Sequence, residues 1–139
     1  MFKTIVLALD GSDAAKKAIP VAAEIAEKEK AKIVIAHVVE FIVGKATKEP
    51  IRADEKEIRA EIDREAEELS ARGIDTRVEV AENVLGGPAH AIIEIADRNS
   101  GDMIVTGTRG YGAVAGAMLG SVAQRLLHSA KRPLLAVPA

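Results

Sequence analysis

The feature that most constrains this chain is the regular alternation of short apolar runs with stretches of helical periodicity. Thr4–Leu9 (TIVLAL), Lys32–Val39 (KIVIAHVV), Asp102–Gly107 (DMIVTG) and Pro133–Val137 (PLLAV) are almost uninterrupted apolar segments rich in β-branched residues. Asp75–Ala81 (DTRVEVA) instead alternates, as a half-exposed edge strand does. Between these runs lie helical patterns over Asp13–Lys30, Ile51–Arg72, Ala89–Asn99 and Ser121–Ala130. A strand with no polar alternation is buried on both faces. The pattern therefore predicts an α/β fold, a parallel sheet with helices on both faces. The 139 residues contain no repeat and no linker, so one domain is expected over residues 1–139. Aromatic residues make up only 2%, which leaves the core to Val, Ile, Leu and Ala.

Local signals refine the helices. Ala15, Ala18, Ile19, Ala22, Ala23, Ile25 and Ala26 share one face of the first, and Pro20 predicts a kink or an irregular start there. Residues 40–50 read as an irregular excursion. The helix over Ile51–Arg72 turns Ile51, Ile58, Ile62, Ala66 and Leu69 inward, and Gly73 stops it. Glu55–Arg59 and Glu68–Arg72 are spaced as supporting i,i+4 pairs. Pro88 suits the first turn of the next helix.

Composition excludes several classes of function. A net charge of −2 gives no overall basic character to attract nucleic acid. With no cysteine there is no disulfide framework, thiolate metal site or cysteine nucleophile. No apolar run reaches the ~18 residues of a membrane span, and no signal peptide precedes the first strand, so a cytoplasmic protein without a membrane partner is expected. His37, His90 and His128 are isolated in sequence and read as structural. Ser12 lacks the G-x-S-x-G elbow that would expose it as a nucleophile, which argues against a triad with Asp10 and His37.

In a parallel sheet of this kind, ligands sit outside the carboxyl ends of the strands where the strand order reverses. The segments reaching that point include Asp10–Asp13 (DGSD), Val38–Glu40 and the stretch Gly107–Ser121, which holds five of the chain's eleven glycines. Bare backbone between a strand and a helix start presents N–H groups to an anion, and Ser121 adds a hydroxyl. From Met103 onward there is no Asp or Glu, yet Arg109, Arg125, Lys131 and Arg132 are present. A phosphate-bearing ligand fits that charge. Three other readings compete: a small-residue helix contact through Gly112, Gly116 and Gly120, a loose dinucleotide fingerprint over Gly110–Ala115, and plain loop flexibility. A Walker loop is excluded, because no Gly-Lys-Ser/Thr occurs. Asp10 reads equally well as a helix N-cap or as a ligand contact.

These residues resemble the universal stress protein family from end to end. The likeness rests on TIVLALDGSDAAKKA, IAHVVE, GGPAHAIIEIA and above all the segment from Asp102 to Ala139. That segment carries the family's ATP-binding pattern G-x2-G-x9-G-S/T as Gly107, Gly110, Gly120 and Ser121. The resemblance implies a Rossmann-like open five-stranded parallel sheet of order 3-2-1-4-5, and a homodimer. It implies ATP as ligand, with magnesium on the phosphates. Its phosphates would meet Gly107, Arg109, Gly110, Gly120, Ser121 and Val122. The ribose would lie near Asp10 and Gly107, and the adenine near Ala8, Leu9, Val38 and Thr106. The role implied is a nucleotide-occupied sensor in the stress response. A slow ATPase or phosphotransferase and a nucleotide-free structural dimer are the alternatives. Only Asp10 or Asp13 is expected near enough to activate a water, so little turnover is expected. The uncharged run LLAV at the end of the chain is the expected dimer edge.

Overall fold

The computed structural model describes residues 1–41, 50, 53–83, 86–109 and 119–139. Five strands, β1 (Thr4–Ala8), β2 (Lys32–Glu40), β3 (Thr76–Asn83), β4 (Met103–Gly107) and β5 (Leu134–Val137), form one sheet of order β3-β2-β1-β4-β5. Every neighbouring pair is parallel: Val6 lies opposite Val34 of β2 and Ile104 of β4, and Thr106 opposite Ala136 of β5. All five residues of β1 are buried, as the unbroken apolar run requires. The described residues of β3 include none that is buried, and they form one edge, as the alternating pattern predicts.

The helices divide between the two faces. On one, α1 (Asp13–Lys16), α2 (Ala18–Glu29) and α3 (Glu55–Ala71) cover Ile5, Leu7, Ile33, Ile35 and Val105. On the other, α4 (Gly87–Arg98) and α5 (Ser121–Ser129) cover Val6, Ala8, Val34, Ala36 and Ile104. The sides alternate because successive strand residues point to opposite faces. The expected first helix is two helices. Pro20 has no N–H to offer Lys16, and the chain breaks at Lys17, whose own N–H reaches back only to Ala14 (3.3 Å). The second helix then restarts with Pro20 in its first turn, where the missing donor costs nothing.

The α3 helix begins at Glu55, later than its apolar spacing predicts; Ile51 lies outside the described residues, and Ala53 and Asp54 form a turn. Neither expected i,i+4 pair forms. Glu55 turns to His37, Arg59 pairs with Asp63 (3.4 Å), and Arg72 bonds Glu27 of α2. Ile58, Ile62 and Leu69 are buried as expected, and Ile74 N–H closes the helix end on Leu69 O (3.2 Å) behind Gly73.

The amino end of the sheet is tied by Asp102. Its Oδ2 accepts the N–H groups of Lys3 (2.8 Å) and Thr4 (2.9 Å), while its own N–H bonds Thr4 O (2.8 Å). Those backbone donors, Lys3 first, hold the Asp102 carboxyl below the usual aspartate range. A carboxylate depressed in the folded state stabilises at pH above its unfolded value and loses that contribution as pH falls through the folded value. Asp102→Asn is therefore expected to cost about 1 kcal/mol at pH 7, limited by solvent screening. The difference from wild type should shrink below pH ~4. Urea melts at pH 7 and pH 3 check this; an equal difference at both would contradict it.

Candidate functional site

The strand order reverses between β1 and β4, and a cleft of about 650 Å³ opens there at the carboxyl ends of the strands. Its floor is Ala8 at the end of β1, Leu9 and Asp10 after it, Val38 of β2, and Thr106 and Gly107 of β4. Arg109 follows, and Gly120, Ser121 and Val122 enter from the start of α5. The remaining expected position, Gly110, lies outside the described residues, as do Gly112 and Gly116.

Two glycines sit where backbones meet. Gly120 N–H donates to Thr108 O at 2.6 Å, which closes the chain across residues 109–119. A Cβ on Gly120 would lie 3.1 Å from that same oxygen. A Cβ on Gly107 would lie 3.1 Å from Ala15 Cα and 3.2 Å from Arg109 O. A side chain at either position would press on backbone atoms that must then give by a few tenths of an ångström, which favours glycine there.

The helix starts at the cleft differ from the one beside it. Ser12 caps α1 by accepting the Ala15 N–H at 3.1 Å. Asp10 is not that cap. Its Oδ1 accepts Ser12 N–H (2.8 Å) and Ser12 O–H (2.6 Å), an Asx turn that fixes the carboxylate on the cleft wall. In contrast, α4 and α5 start from Gly86 and Gly120, which have no capping side chain, and neither carries an acid in its first turn. Pro88 and Ala89 of α4 and Ser121 to Ala123 of α5 line the cleft. Two helix amino ends, with their partial positive charge, thus border one space.

Both signs of charge line the cleft. Arg109 follows β4 and Arg125 lies on α5, while Asp10 follows β1, Glu40 ends β2 and Glu55 begins α3. The basic segment read from sequence does not act as a unit, because Arg132 is tied to Asp97 of α4 and to Ala130 O (3.2 Å).

His37 is satisfied, as expected, but it also forms part of the wall. The ring is 2% exposed, and Nδ1 lies 2.8 Å from Leu9 O, which can only accept, so Nδ1 carries a hydrogen. Nε2 lies 2.6 Å from Glu55 Oε1, a contact that needs one further proton between the two groups. The pair fastens the end of β1 and the start of α3 to β2. With Ser12 O–H given to Asp10 and His37 given to Glu55, no nucleophile-base pair exists among these residues. Asp13, expected near the site, is fully exposed beside Lys16 (3.5 Å).

Glu40 lies in the segment expected at the strand ends and Arg125 in the basic segment, while Glu55 is an addition that the sequence pattern does not place at the site. Glu55 follows the 40–50 excursion, whose length hides where the chain re-enters. Arg125 was legible, since it stands four residues after Ser121 on the same helix face.

The model of the universal stress protein family matches residues 1–138. The chain belongs to that family. The Thermus aquaticus universal stress protein in the QAH/OAS sulfhydrylase 3' region is 39% identical over 140 residues, which cover 99% of each chain. Among solved structures, a universal stress family protein from Burkholderia pseudomallei is 28% identical with a TM-score of 0.77, over 99% of this chain and 97% of that one. A universal stress protein in complex with cAMP is also 28% identical, with a TM-score of 0.71 over the same shares. The five-stranded parallel order is thus a family property. Among the described residues no helix is long and apolar enough to cross a membrane.

Proposed function

We propose that this chain binds ATP, with magnesium on the phosphates, in the cleft between β1 and β4. It acts in the cytoplasm as a nucleotide-occupied sensor in the stress response and works as a homodimer joined through β5. One observation carries the ligand assignment. Gly107, Gly120, Arg109 and the uncapped start of α5 converge on the end of β4, across from the apolar floor of Ala8, Leu9 and Val38. Backbone donors, a helix amino end and a guanidinium suit phosphates, and the apolar floor suits a flat base. The cAMP complex of the 28% identical protein supports an adenine nucleotide as the class.

Slow hydrolysis is the second reading, favoured by Glu40 and Glu55 on the cleft wall. Glu55 is engaged by His37 and Asp10 by Ser12, which leaves neither as a ready base. Turnover well below ~1 per second is therefore expected. Mass spectrometry of the nucleotide released on denaturing purified protein, followed by calorimetry with added ATP and a phosphate-release assay, tests both points. ATP released or bound without steady phosphate release is the expected result. Protein that carries no nucleotide and takes up none overturns the ligand assignment, and steady phosphate release near one per second overturns the sensor reading.

A further inference from the structure

We propose that Arg125 sets the phosphate-chain preference of the cleft, contacting the distal phosphates of a nucleoside triphosphate that a monophosphate does not reach. The inference rests on the nucleotide reading above and deepens it. Arg125 lines the cleft one turn beyond Ser121 on α5. Four residues advance a helix by about 6 Å, and helical side chains lean back toward the amino end. A long side chain at position 125 therefore returns to the mouth of the cleft, beyond the phosphate groups nearest the glycine backbone.

The guanidinium stands in an unusual place. A Cβ built on Gly87 would lie 3.4 Å from Arg125 Nη1, so the cation rests against the first residue of α4. A positive charge at a helix amino end is disfavoured. Among the described residues no carboxylate lies within ion-pair distance of Arg125, and the chain from Met103 onward contains none. Arg109, which also lines the cleft, adds to the excess. Of the lining carboxylates, Asp10 follows β1, Glu40 ends β2 and Glu55 begins α3, with Asp10 bonded to Ser12 and Glu55 to His37. An anion between Arg125 and the starts of α4 and α5 would offset all three positive groups at once. The distal phosphates of ATP are such an anion, and a guanidinium matches phosphate oxygens in paired contacts.

Calorimetric titration of wild type, Arg125→Gln and Arg125→Lys with ATP, ADP and AMP tests the assignment. Arg125→Gln is expected to weaken ATP about tenfold while AMP changes less than about twofold, and Arg125→Lys to recover part of the loss. The position is exposed, so far-UV circular dichroism should be unchanged; if Gln nevertheless unfolds the chain, the Lys variant carries the comparison. Equal losses for ATP and AMP, or no loss for either, overturn the assignment and leave the nucleotide reading standing. Wild-type protein that binds no adenine nucleotide overturns that reading and this inference with it.

Discussion

Valine in place of Gly120 is expected to weaken ATP binding by more than about a hundredfold, a loss near 2.7 kcal/mol, while the sheet stays folded. The backbone itself tolerates the change: φ −71° and ψ 162° are ordinary extended values that a β-branched residue adopts readily. The obstacle is what faces it. Thr108 O would stand 3.1 Å from the new Cβ and Arg109 Cα 3.6 Å, and both are backbone atoms that cannot rotate aside. The 2.6 Å bond from Gly120 N–H to Thr108 O must lengthen, so the start of α5 moves away from the end of β4. Donors aimed at one phosphate group then no longer converge. Such overpacking costs about 1–3 kcal/mol of stability, which the buried sheet absorbs. Gly107→Val should be harsher on the fold, because Ala15 Cα, Arg109 O and Ala14 O all lie within 3.3 Å of its added Cβ. Calorimetry and a thermal melt on the same sample separate the two effects. Unchanged ATP affinity in a folded Gly120→Val protein would remove the phosphates from this corner of the cleft.

What the sequence made legible follows from which interactions are local. The central strands declared themselves because a strand buried on both faces has little room for polar positions, and β1 and β4 carry one threonine each, Thr4 and Thr106, and no charge. The glycines of the cleft were legible because close backbone approach leaves few alternatives to glycine, and the family pattern fixed their offsets. Ion pairing was not legible. Glu55 has an exposed Arg59 one turn away, yet it takes the buried ring of His37, where charge-assisted bonding in poor solvent is worth more than a screened surface pair. Arg72 likewise leaves Glu68 for Glu27 on a neighbouring helix. The place of Glu55 on the cleft wall was hidden for the same reason, since it pairs with His37, eighteen residues earlier in the chain. Phe41 and Pro50 form an antiparallel bridge that brings the two ends of the 40–50 excursion together, and spacing alone does not predict it.

If the chain pairs through β5 as proposed, proline at position 136 is expected to leave a folded monomer. The strand β5 closes the sheet, and its four residues, Leu134 to Val137, are all apolar and only half-buried. Its backbone faces two ways. Ile104 N–H bonds Pro133 O (3.0 Å) and Thr108 N–H bonds Val137 O (3.0 Å), so residues 133, 135 and 137 turn their polar groups toward β4. Because a parallel ladder alternates, the N–H and C=O groups of Leu134 and Ala136 point outward, past the edge of the sheet. Leu134 to Val137 carry no charge, and among the described residues no further strand pairs with that edge. A second copy running antiparallel about a two-fold axis satisfies the same groups on both chains and covers the half-buried Leu134 and Ala136 side chains. Ala136→Pro removes an outward N–H without touching the bonds to β4, and the extended geometry it demands of Leu135 is already that of a strand. Interface loss and fold loss are thereby separated. Sedimentation should give about twice the chain mass for wild type and the chain mass for Ala136→Pro, with matching far-UV spectra. A wild-type monomer at micromolar concentration, or a proline variant that still dimerises, would place the interface elsewhere.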